Sequence, residues 1–112
     1  MNTSHTPGPW KHVAGFDDYE GIHGINGLPV AEMISSSRSR RTADARLIAA
    51  APELLDELEK ANQIIQNALN IITTEQKIAW GKKNVMDGVD GEGITRANER
   101  AVAIAKATRG AA

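Results

Sequence analysis

Apolar and polar positions along the chain fall into two regimes. In the first third they fit short strands. Ile22, Leu28, Val30 and Ile34 are the candidate inward residues of two segments, Gly21 to Ile25 and Leu28 to Ile34. These flank Asn26-Gly27, a dipeptide suited to a hairpin turn whose central residues need positive φ. Trp10 to Ala14 supplies a possible third strand, and Phe16 to Glu20, with Asp17 and Asp18, reads as a turn. A sheet of two or three antiparallel strands is marginal alone and needs a helix across one face.

The pattern turns helical after the polar connector Ser35–Arg41. Thr42 or Arg41 opens the run, and Asp44 suits the positive end of the helix dipole. Leu47, Ile48 and Ala51 form a short stripe before Pro52, which ends or kinks this helix and favours a new start at Glu53. Leu54, Leu58, Ala61, Ile65, Ala68 and Ile72 then step by 4, 3, 4, 3 and 4, a heptad seam that Leu55, Leu69 and Ile71 widen. Asp56, Glu57, Lys60, Asn67 and Asn70 occupy the opposite side. A helix from 52 to 80 would be roughly 43 Å long. A compact chain of this size has a radius of gyration of about 13 Å. The helix is therefore expected to protrude or to lie against another protomer. Gly81 is expected to end it, and Thr95 to cap a last helix with Ala97, Ala101, Ile104 and Ala105 on one face.

The expected class is thus α+β: a small N-terminal sheet, a Pro-kinked long helix and a C-terminal helix forming a helical hairpin. With 112 residues the chain suits one domain. Its expected parts are an arm over 1–9, a sheet over 10–34, kinked helices over 41–80, a flexible loop over 81–93 and a last helix over 94–109. Alanine-rich faces bury little area, so self-association is expected to complete the hairpin. Leu54, Leu58, Ile65, Leu69 and Ile72 are the expected homo-oligomer interface.

Charge and candidate chemistry narrow the function classes. Thirteen Lys and Arg against fourteen Asp and Glu give a net charge of −1, which with the acidic long helix disfavours DNA binding. There is no cysteine, so disulfides and thiolate chemistry are excluded. No membrane span or signal peptide is read, so a soluble cytosolic protein is expected. Asp87, Asp90 and Glu92 fail the calcium-loop spacing, and His5, His12 and His23 lack metal-ligand spacing. The acidic residues read as a solvated loop, and His12 and His23 as strand residues near the surface, with no metal or cofactor. No nucleophile–base arrangement, P-loop or dinucleotide fingerprint is present, so the chain is not expected to be an enzyme.

Arg38, Arg40, Arg41 and Arg46 are the best binding candidates. Three precede the expected helix start and one sits a turn inside, where guanidinium forks and a helix N-terminus both suit phosphate. Trp10 could stack on a base beside them. Trp80, Lys82 and Lys83 repeat the aromatic-plus-cation pattern. The plainer reading is a solvated Arg/Ser linker and core tryptophans.

Thr6-Pro7-Gly8-Pro9-Trp10 and the run from Ala43 to Leu55 (ADARLIAAAPELL) carry a resemblance. The sequence resembles a family of small tailed-phage and prophage proteins with an N-terminal HTPGPW arm and an ANARLIAAAPELLEALE helix. Asp44 stands where Asn is common, and Arg100 to Thr108 is similar to the family's ARAAIAKATG ending. The resemblance leaves 73–93 uncovered. It implies a phage accessory protein made in the bacterial cytoplasm, and no residue roles. Countering host defence is the expected setting. One route is a homo-oligomer that sequesters a cyclic nucleotide or cyclised ADP-ribose signal. The other is direct inhibition of a host or phage protein through an exposed surface. A virion-assembly role ranks below both.

Overall fold

A computed structural model describes residues 5–15, 19–34, 37–89 and 91–109. Of the turn expected over Phe16–Glu20, Phe16–Asp18 lie outside these residues, as do the start of the arm, Ser35–Ser36 and Asp90, while Glu20 already belongs to a strand. Three strands, β1 (Lys11–Ala14), β2 (Glu20–His23) and β3 (Pro29–Glu32), precede four helices. These are α1 (Arg38–Ala49), α2 (Ala51–Leu69), α3 (Thr74–Met86) and α4 (Ala97–Arg109). The α+β class is as expected. The chain divides into two compact units, Met1–Asp56 and Glu57–Ala112, with the division inside α2.

In the first unit the strands form one antiparallel sheet in the order β1-β2-β3. Lys11 pairs with His23 and Ala14 with Glu20, while Gly21 pairs with Glu32. A hairpin turn forms at Asn26-Gly27 as predicted, but with positive φ at Gly27 alone: Gly27 N donates to Gly24 O at 3.0 Å, so Ile25 and Asn26 are its central residues. Gly27 takes φ +80°, Asn26 Oδ1 accepts from Leu28 N at 3.2 Å, and Gly24 N donates to Leu28 O at 2.9 Å. α1 packs across β2 and β1, and Ile22 and Ala45 are completely buried. Ile22 thus points inward as expected and Val30 is half-buried. Leu28 and Ile34 do not: they are 63% and 90% exposed. A register irregularity at Ile22/His23 and the short β3 leave Leu28 in the turn and Ile34 past the strand.

Helix α1 begins earlier than expected. Ser37 caps it, its hydroxyl accepting from Arg40 N at 3.4 Å, so Arg38 to Arg41 are helical and not connector. Pro52 acts as expected. α1 stops at Ala49 and α2 starts at Ala51, which leaves Pro52 in a first turn where a missing N–H costs little. The described part of the arm is placed against this corner. A Cβ on Gly8 would lie 2.8 Å from Pro52 Cβ, so the glycine permits the approach. The two motifs that carry the family resemblance therefore meet each other.

In the second unit the helix expected over 52–80 is two helices. α2 ends at Leu69, and Thr73 restarts the chain with a capping box. Thr73 Oγ1 accepts from Gln76 N at 3.1 Å and Gln76 Oε1 accepts from Thr73 N at 2.8 Å. Gly81 does not end a helix; α3 runs through it to Met86, and Gly88 at φ +72° follows the cap. α4 starts after Arg96, which takes φ +55°, and not at a Thr95 cap. Arg100 Nε donates to Asn62 Oδ1 at 3.0 Å, tying α4 back to α2. The stretch expected to be a loose acidic loop is partly α3 and partly pinned. Asn84 holds the Ile94 carbonyl, Arg100 holds the Thr95 carbonyl, and Glu99 Oε2 accepts from Glu92 N at 3.0 Å.

Gly81 is explained by Ile94, whose Cγ2 would lie 2.9 Å from an added Cβ. Gly81→Ala should therefore gain little or lose stability in the native chain. In an Ile94→Ala background the same change should stabilise by about 1 kcal/mol, the ordinary helix preference for alanine. Urea denaturation of the double-mutant cycle measures the coupling.

Candidate functional site

The first turn of α1 is held to the sheet by one buried carboxylate. Glu20 and Ile22 share the β2 face that meets α1, and Glu20 is 5% exposed. Its Oε1 accepts from Thr42 Oγ1 at 2.8 Å, and its Oε2 lies 2.9 Å from His12 Nε2 on β1. The Thr42 hydrogen bond, helped by the His12 contact and the charge of Arg41, holds the Glu20 carboxyl below the usual range against its desolvation. Thr42 also reaches the Arg38 carbonyl at 3.1 Å, so one hydroxyl links helix turn and strand. On the other parity of β2, Tyr19 lies over Gly21 and its hydroxyl is 2.9 Å from His23 Nε2.

The arginines divide into three and one. Arg38, Arg40 and Arg41 occupy the first turn, which contains no acidic residue. Arg46 sits in the last turn, where it complements the dipole. It lies about 12 Å along the axis from Arg38. Arg38, Arg40 and Arg46 are exposed, and Arg41 is half-buried on the Glu20 side. Trp10 is half-buried, with Nε1 donating to Thr6 O at 3.0 Å and its ring edge-on to His5. In the second unit Trp80 is half-buried, Lys83 Nζ pairs with Asp87 Oδ1 at 3.0 Å, and Lys82 is exposed. Lys82 borders an open apolar groove of about 580 Å³ with Ile78, Gly81, Val85, Met86 and Ile94. Of the expected interface, Leu58, Ile65, Leu69 and Ile72 are half-buried and Leu54 is exposed.

Among the described residues no group of three or more His, Cys, Asp or Glu could hold a metal ion. No described helix is long and apolar enough to cross a membrane. Sequence reasoning passed over the Glu20–Thr42–His12 cluster. Its one legible signal was an acidic residue in phase with Ile22 on an inward strand face.

Residues 1–111 match the family described as Salmonella phage P22 protein Y8K6. The chain belongs to this phage protein family. No curated protein and no solved structure matches it. Membership supports the expectation of a phage protein.

Proposed function

We propose that this phage protein is an accessory factor that works by binding, and that it captures a nucleotide-type phosphate ligand on the arginine-bearing first turn of α1. The role is sequestration of an immune signal, a cyclic nucleotide or cyclised ADP-ribose, in the bacterial cytosol. One observation supports it. Arg38, Arg40 and Arg41 crowd a Ser37-capped first turn free of acidic residues. Arg38 and Arg40 are exposed beside the helix N-terminus, where backbone N–H groups and guanidinium forks both suit a phosphate. The Thr42–Glu20 bond fixes this turn on the sheet before any ligand arrives.

Native mass spectrometry and calorimetry with a panel of cyclic nucleotides and cyclised ADP-ribose test the reading. Arg40→Ala/Arg41→Ala should weaken binding at least tenfold, while Arg46→Ala at the far end should change it less than threefold. Absence of any added ligand mass across the panel sinks the proposal. Direct inhibition of a host or phage protein is the second reading, favoured by Ile25 and Leu28, which stand exposed at the β2–β3 turn. In that case the arginine changes should alter association rate and salt dependence, and Leu28→Asp should abolish capture of the target.

A further inference from the structure

We infer that α3 is a self-association helix, pairing antiparallel with α3 of a second copy of this chain about a two-fold axis near Ile78. The unit Glu57–Ala112 has no buried residue among those described. Ile71, Ile78, Val85, Met86 and Val89 are each more than half exposed.

Charge placement selects the occupant. Glu75, Ile78, Lys82 and Val85 step by 3, 4 and 3 along one face of α3. Its two charged members have opposite sign and sit three and four residues on either side of Ile78. Antiparallel pairing about an axis between Ile78 and Ala79 therefore sets Glu75 against the partner's Lys82, and does so twice by symmetry. In-register parallel pairing would set Glu75 against the partner's Glu75 and Lys82 against the partner's Lys82, like charge against like.

Light scattering of the full chain at micromolar concentration is the test. The native chain should be a dimer or an even-numbered assembly. Glu75→Lys and Lys82→Glu each create two like-charge pairs and should each weaken association at least tenfold, with unchanged helical circular dichroism. An equimolar mixture of the two variants restores both attractive pairs, so the mixture should recover the native mass. A monomeric native chain overturns the inference. So does association that ignores either charge reversal, or a mixture that stays dissociated. The result is independent of nucleotide binding at α1, so either proposal can fail alone.

Discussion

Replacing Ile22 by alanine should cost the Met1–Asp56 unit about 3 kcal/mol, the middle of the range for a buried isoleucine. Ile22 is the one large side chain completely buried among the described residues, and its buried apolar companion is Ala45. Alanine at 45 is small enough for α1 to approach the sheet closely, so the surroundings have little freedom to collapse into the cavity. A core of this size rarely supplies more than about 3–5 kcal/mol. The substitution should therefore remove most of the unit's stability. A Trp80→Phe background leaves Trp10 as the sole tryptophan, and its fluorescence follows the first unit through urea denaturation. Ile34→Ala, at a 90% exposed position, is the control and should stay within about 0.5 kcal/mol of the parent. Equal effects at the two positions would show that the unit is not organised around Ile22.

What the sequence revealed was whatever short-range chemistry decides. Asn26-Gly27 specified its turn because only a residue free of a Cβ takes φ +80° at no cost. Pro52 separated α1 from α2 for the local reason that it lacks a donor. Thr73 and Gln76 also form a local signal, yet the steady 4-3 spacing through Ile72 argued for continuity and obscured the break. Gly81 looked like a stop because its partner, Ile94, lies thirteen residues on and its role is a tertiary contact. The Ser/Arg run looked like a connector until Ser37 proved to be a cap, which moved three candidate arginines into a helix. The Glu20 cluster was the least legible feature. His12, Glu20 and Thr42 come from β1, β2 and α1, and no spacing rule links residues that meet only when a helix crosses a sheet.

Acid should destabilise the first unit through Glu20. The Thr42 hydrogen bond, with His12 and Arg41, lowers the native proton affinity of Glu20 below its unfolded value. Its contribution is therefore complete above the ordinary glutamate value of about 4.3. It is lost as pH falls through the lower native value, because the unfolded chain then binds the proton first. Glu20→Gln keeps the volume, removes the charge and places an amide where Thr42 and His12 meet an anion. That variant should be clearly less stable than the parent at pH 7, and the two should converge as pH falls below the ordinary glutamate range. Urea midpoints of both chains across pH 3–7, read from Trp10 in the Trp80→Phe background, give the comparison. Trp10 is the right probe because the other lowered carboxyl, Glu99, belongs to the second unit, where the Glu92 amide holds it. Parallel curves for parent and variant would place the acid response elsewhere. Convergence would show that one buried charge fastens the arginine turn of α1 to the sheet.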